Sequence, residues 1–309
     1  MDGIINVYKE KGWTSFDVVA KLRHILGEKK IGHTGTLDPD AAGVLPVCVG
    51  KATKACELLT EKEKTYRAVM LLGKNTDTQD ISGKVLQEKE PGKDITPEKI
   101  QAVMQGFVGE YMQTPPMYSA LKVNGKKLYE LAREGKTIER KPRKVIFHEI
   151  TIEKIAIPLV TFQVTCSKGT YIRTLCEDIG NQLGCGGCMQ ELERTRSGMF
   201  TVEESQTIAQ IEKRMDAGMI ADVLKPIDSV FADLMAVKLT ADYDKLLHNG
   251  NCIPYDCMKQ AKEEKMVIET AIRETKIRIY DSHDIFIGIY ENQRERKSFL
   301  PLKIFYAKQ

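Results

Sequence analysis

Apolar positions fall along the chain in two rhythms, one of strands and one of helices. Ile4 to Tyr8 is a short apolar run that reads as a strand. Ser15 stands as a candidate helix cap before Val18, Val19, Leu22, Ile25 and Leu26, which share one helical face, and Gly27 supplies a stop. Residues 31–40 are rich in glycine and end in Asp-Pro-Asp, so they read as a loop. Val44–Val49 reads as a strand, 52–59 as a helix, and Thr65–Leu72 as an alternating strand. Thr96-Pro97 opens a helix through Ile100, Val103, Met104 and Phe107, with proline at its first position. Asn124-Gly125, between 120–123 and 126–128, predicts a hairpin with a type I′ turn. Leu159–Cys166 alternates as a strand. Thr170 is placed to cap a helix through Ile172, Leu175, Ile179 and Leu183, and 202–220 reads as mostly helical. The texture changes near Val230: a short helix from Val237 and strands at 266–268, 276–280, 285–290 and 302–305 predict a small, strand-rich second unit.

Composition adds few constraints and charge adds one. With 309 residues, 42% apolar and 29% charged, the chain is sized for one large and one small globular unit. No stretch approaches the about 20 apolar residues of a membrane span. Residues 1–6 lack a basic region followed by an apolar run, so no secretory signal is expected and a cytoplasmic location is. The formal charge is only +3, yet residues 122–144 hold nine cations against Glu130, Glu134 and Glu139. Such a run is often a solvated face; its length and sparse acids point to a polyanion partner. The eight cysteines read as reduced thiols. Cys185 and Cys188 have zinc-site spacing, but Cys252 and Cys257 are a poor second pair. A helix, not a strand, precedes Cys185, against a thioredoxin-like site.

Asp38 is the first candidate for chemistry. Asp-Pro pairs commonly just form turns; here the carboxylate follows Gly32 and Gly35, which permit close approach of a ligand. Arg173 is the second. A cation in a helix's first turn opposes the helix dipole, so it points to a partner, and an arginine beside a buried carboxylate favours the ionised form. An exposed arginine at small cost is the competing reading. Tyr66, flanked by Lys64 and Arg67, is either packing or a stacking platform for a base. His33 lies in the glycine-rich loop with no second ligand at metal spacing. Gly50-Lys51-Ala52-Thr53 fails as a phosphate loop, with Leu45 where the first glycine belongs and Ala52 where Ser or Thr belongs. No nucleophile elbow and no dinucleotide fingerprint occur.

The stretch Gly32-His-Thr-Gly-Thr-Leu-Asp-Pro-Asp-Ala-Ala-Gly-Val-Leu-Pro46 resembles the catalytic loop of the TruB family of tRNA pseudouridine synthases. Lys64–Arg67, Pro116–Lys122, Gly125–Glu130, Ser167–Thr174 and Leu192–Thr195 resemble further motifs of that family, in the right order, from Gly3 to about Phe231. The C-terminal stretch is similar to a PUA domain, on Asn249-Gly250 and the strands of 277–290. The resemblance implies an α/β mixed (α+β) fold: a catalytic domain around a largely antiparallel sheet over 1–232, an insert at about 110–145 that binds the T-arm, and a β-rich PUA-like domain over 233–309. It implies Asp38 as nucleophile, Tyr66 stacked on the target base, Arg173 paired with Asp38, Tyr171 as a second tyrosine and Leu192 as an apolar wall. His33 matches the histidine that wedges into the T-loop; Lys9 and Lys64 are further candidate substrate contacts. Two departures are Glu10, where the family usually has proline, and Cys188.

The expected reaction needs no cofactor and no metal. The expected partner is the T-arm stem-loop of tRNA, gripped on its phosphates by Lys122, Lys126, Lys127 and Arg143. No membrane and no obligatory protein partner are expected, and the chain is expected to act as a monomer. The main rival is a catalytically idle RNA binder or tRNA-folding chaperone, which needs neither Asp38 nor Arg173. A synthase guided to other RNAs by partner proteins is the second; the insert at 116–135 favours a stand-alone enzyme.

Overall fold

The computed structural model describes residues 1–123, 125–258 and 273–306. Its main sheet runs, edge to edge, through Leu224–Lys225, Gly3–Lys9, Ala42–Val49, Gly187–Ser197, Lys64–Leu72, Leu159–Cys166, Arg143–Ala156 and Gly109–Gln113. Neighbours along this path are antiparallel except Ala42–Val49 beside Gly187–Ser197, which is parallel. The fold is therefore mixed α/β around a largely antiparallel sheet.

Side-chain alternation sets the layers. Tyr66, Ala68, Met70 and Leu72 turn inward onto Phe147, Phe162, Leu175 and Ile179, while Arg67 faces solvent. Ala42–Val49 does not alternate because it is buried throughout. Leu45 and Val47 meet Val18 and Leu22 of helix Ser15–Leu26 on one face, and Val44 and Cys48 meet Phe200 and Phe231 on the other. A strand covered on both faces reads as a continuous apolar run.

Helix Ser15–Leu26 is capped by Thr14 in a capping box with Asp17, and Ser15 is instead buried, bonded to Leu37. Gly27 ends it at φ 61°. Ile31–His33, expected as loop, is a short edge strand on Ala42–Val49. The segment expected as a helix over 52–59 is a 3-10 turn at Gly50–Ala55 followed by helix Cys56–Thr60. Only Ile208–Asp216 of 202–220 is α-helical, because Thr207 caps it and Gln206 is tied in extended form to the first strand. Tyr171, not Thr170, occupies the cap position of helix Ile172–Leu183; Thr170 turns its hydroxyl to the Ser167 carbonyl.

Strands Gly109–Gln113 and Arg143–Ala156 pair at the sheet edge, and residues 114–142 leave and return there as an excursion. Within it, Lys122–Val123 pairs with Lys126–Lys127, with Gly125 at φ 81°, before helix Leu128–Arg133. Asn124 of the expected turn lies outside the described residues, as does the strand expected at 266–268.

A second, five-stranded sheet is ordered Met235–Lys238, Lys276–Tyr280, Phe286–Gln293, Ser298–Ile304, Ile253–Pro254. The short helix expected from Val237 forms later, at Asp244–His248, after a strand. Ile289 and Phe305 of this β-rich unit share an apolar cluster with Ile4, Phe200 and Phe231 of the first. Tyr280 adds a 2.8 Å bond to Asp228.

Two glycines separate close approach from backbone conformation. A Cβ on Gly43, at φ 108°, would stand 2.3 Å from the Arg194 carbonyl oxygen; one on Gly184, at φ 83°, would meet nothing within 4 Å. Gly43→Ala is expected to cost at least about 3 kcal/mol, and Gly184→Ala about 1–2 kcal/mol. Urea unfolding of the two variants checks this; equal losses would contradict it.

Candidate active site

The catalytic-loop candidate is pinned from several sides. The Leu37 N–H donates to Ser15 Oγ at 2.9 Å, the Gly12 N–H to the Pro39 carbonyl at 2.9 Å, and the Ala41 N–H to the Asp38 carbonyl at 3.1 Å. The buried ammonium of Lys9 donates to the carbonyls of Trp13 at 2.7 Å, Pro39 at 3.1 Å and Glu10 at 3.2 Å. Lys9, expected as a substrate contact, thus holds the loop from beneath. Lys64 likewise turns its ammonium onto the carbonyls of Thr60 and Lys62, while part of it lines the cleft.

The loop presents Asp38 to a cleft of about 720 Å³ that is also lined by Tyr66, Tyr171, Leu192 and Arg173. Arg173 Nε lies 2.9 Å from Asp38 Oδ2 in an ion pair, and Arg173 Nη2 donates to Asp38 Oδ1 at 3.4 Å; the arginine side chain is 5% exposed and the carboxylate 40%. One end of the pair is fixed and the other is open to a ligand. Nη1 donates to the Thr78 carbonyl and Nη2 also to the Tyr118 carbonyl, both at 2.9 Å, and Asp80 lies 3.8 Å from Nη1. The cation that breaks the helix-dipole rule has the partner that the rule demands.

Tyr66 is buried with its ring in the main core, and burial raises its hydroxyl pKa, opposed by the nearby Arg194 guanidinium. Burial raises Tyr171 in the same way, with Arg173 opposing. Neither phenol is set up as a resting base. His33 does not line the cleft; its Nδ1 accepts the Gly35 N–H at 3.3 Å, and burial and Arg194 lower its pKa, so it rests neutral. Lys122, Lys126 and Arg143 are exposed and Lys127 is half-buried. None of the four lines the cleft, although Tyr129 and Arg133 of the same excursion do.

Arg194 carries no role in the sequence reading, yet it is central. It is 1% exposed, donates from Nε to the Val44 carbonyl at 2.6 Å and from Nη2 to the Gly35 carbonyl at 3.1 Å, and sits beside the Tyr66 hydroxyl. Its spacing of two from Leu192 on a strand is the signal that both face inward. Among the described residues no three His, Cys, Asp or Glu side chains converge as metal ligands would, and no helix is long and apolar enough to cross a membrane.

A carboxylate aimed by an arginine, beside an aromatic ring and an apolar wall, can hold a flat ring and attack it. Two family models match the chain: the TruB family pseudouridylate synthase N-terminal domain over residues 23–172, and the tRNA pseudouridylate synthase B C-terminal domain over residues 173–232. A tRNA pseudouridine synthase B of Lachnoclostridium phytofermentans is 51% identical over 99% of this chain and 100% of its own length. This chain belongs to the TruB family. A second tRNA pseudouridine synthase B, from Clostridium kluyveri, is 45% identical over 95% of the chain and 96% of its own. Among solved structures, a Cbf5-Nop10-Gar1 complex matches with a TM-score of 0.73 and 27% identity, covering 98% of this chain and 85% of that one. The TruB family model thus spans both the Asp38 loop and, in its final residues, the approach to Arg173.

Burial lowers Lys9 to about 8, against the pull of Asp38 and Asp40, and Lys64 to about 8 as well. Between pH 8 and the ordinary value of 10.5 the unfolded chain therefore binds more protons, and the burial penalty of each lysine is relieved as pH rises. The stability of wild type relative to Lys9→Met is expected to increase through that window. Denaturant titrations at steps across it provide the check, and a flat difference would contradict the assignment.

Proposed function

We propose that the chain isomerises a uridine in the T-arm of tRNA, uridine 55 by the family resemblance, to pseudouridine, with Asp38 as the nucleophile. The observation that carries this is the Asp38–Arg173 pair, closed at 2.9 Å on the buried side and open to the cleft on the other. The reaction breaks the bond from C1′ to N1 and forms one from C1′ to C5. The C5 hydrogen leaves as a proton and N1 gains one, so substrate and product are isomers and no electrons are exchanged. Whether the carboxylate attacks C1′, attacks C6 or takes a sugar proton, it must be ionised and face the target nucleotide, and Arg173 gives it that direction.

The target must leave its stack, at a cost of a few kcal/mol. Stacking on Tyr66 at ~1–3 kcal/mol offsets much of it, and Leu192 closes the apolar side. Lys122, Lys126, Lys127 and Arg143 grip phosphates beside the cleft, and His33 enters the T-loop. Residues 233–309 act as a PUA-like RNA contact appended to the catalytic unit of 1–232. The excursion over 114–142 supports a stand-alone tRNA enzyme over a guided one, acting as a monomer.

Two measurements test this reading. A C5-tritiated T-arm stem-loop should release tritium with wild type and not with Asp38→Asn, without added cofactor; full release by the variant would end the assignment. Replacing Lys126, Lys127 and Arg143 together with Ala should raise KM and lower the salt slope by up to about 3. An unchanged slope would remove these residues from the RNA interface.

A further inference from the structure

The root of the 114–142 excursion is fastened to helix Ile172–Leu183 by one side chain, that of Gln113. Gln113 is the last residue of the edge strand from which the excursion leaves, and it stands opposite Arg143, where the excursion returns. It is 1% exposed. Its amide spans to helix Ile172–Leu183, whose cap residue, Tyr171, makes no side-chain capping bond. Gln113 Oε1 accepts the Tyr171 N–H at 2.8 Å, and Gln113 Nε2 donates to the Tyr171 carbonyl at 3.0 Å. One planar amide thereby matches both backbone groups of one residue. A glutamine is suited to this because it offers a donor and an acceptor side by side without charge.

A second fastening lies five residues on, where the Tyr118 carbonyl accepts Arg173 Nη2 at 2.9 Å. Between the two, Arg140 of the returning arm donates to the Pro115 carbonyl at 3.0 Å. The root of the excursion is thus tied to residues 171 and 173 and to its own return, so a load on the arm reaches the two residues that face Asp38 and the cleft.

We infer that Gln113 is a positioning residue for the isomerisation: it registers the RNA-gripping excursion against Tyr171 and Arg173, so that Arg173 keeps its orientation against Asp38 when an RNA stem-loop docks on the excursion. The inference rests on the function proposed above and adds to it a residue that touches neither the RNA nor the reacting atoms.

Gln113→Met removes both bonds at similar length; Gln113→Glu keeps the acceptor and loses the donor until its carboxyl is protonated. With enzyme in excess over a C5-tritiated stem-loop, the single-turnover rate is expected to fall roughly 10- to 100-fold in both variants, with the Kd for the stem-loop unchanged. Burial raises a carboxyl's pKa, so the rate of Gln113→Glu relative to Gln113→Met should rise as pH is lowered. A wild-type rate in both variants would overturn the inference. So would a weakened Kd with an unchanged rate, which leaves Gln113 a docking role only, or a variant ratio independent of pH. Should the substitutions prevent folding, hydrogen exchange of the wild-type chain decides: exchange over residues 170–175 should slow when the stem-loop binds, and unchanged exchange would overturn the coupling. No turnover by wild type would instead count against the proposed function, and the exchange measurement would still test the clamp.

Discussion

A guanidinium buried where three segments of the chain cross, that of Arg173, is the contact on which the cleft depends. It takes the Thr78 carbonyl from one loop, the Tyr118 carbonyl from the excursion and the Asp38 carboxylate from a third segment. A buried cation is costly unless its donors are met, and here each partner both satisfies it and is positioned by it. The same fork that neutralises the charge therefore sets the direction of the carboxylate. A lysine ammonium carries equal charge but not the flat, spread set of donors.

Around this centre the chain spends buried cations on its own backbone. Lys9 and Lys64 bind carbonyls from below the loop and beside the cleft, and Arg194 ties the Gly35 and Val44 carbonyls together. Such groups hold a loop in one conformation, the condition for presenting a nucleophile at a fixed place. The excursion, by contrast, springs from an edge strand; Lys122 and Lys126 stand exposed on it and Arg143 stands exposed where it returns to the sheet, in keeping with contact to a backbone of phosphates.

Where side-chain chemistry contradicts a local rule, the sequence was informative. An arginine in the first turn of a helix demanded a partner, and an aspartate after two glycines offered one. Regular alternation made Lys64–Leu72 and Leu159–Cys166 visible. Arg143–Ala156 was hidden because two register shifts break its alternation and many of its side chains face solvent. The cap of helix Ile172–Leu183 falls on Tyr171 rather than Thr170, where no local side chain caps and the backbone of the cap residue is held instead by Gln113, 58 residues away. The carbonyls of Thr78 and Tyr118 carry no signal in a sequence at all, since every residue has one. Arg194 was within reach, given its spacing from Leu192, but its two carbonyl partners are set only by the folded loop.

The most direct test of this account is the single-turnover rate of Arg173→Lys on a T-arm stem-loop, with its binding measured alongside. RNA is expected still to bind while the rate falls by at least about 100-fold, because the charge remains and the fork that aims Asp38 is gone. A rate near that of wild type would contradict it.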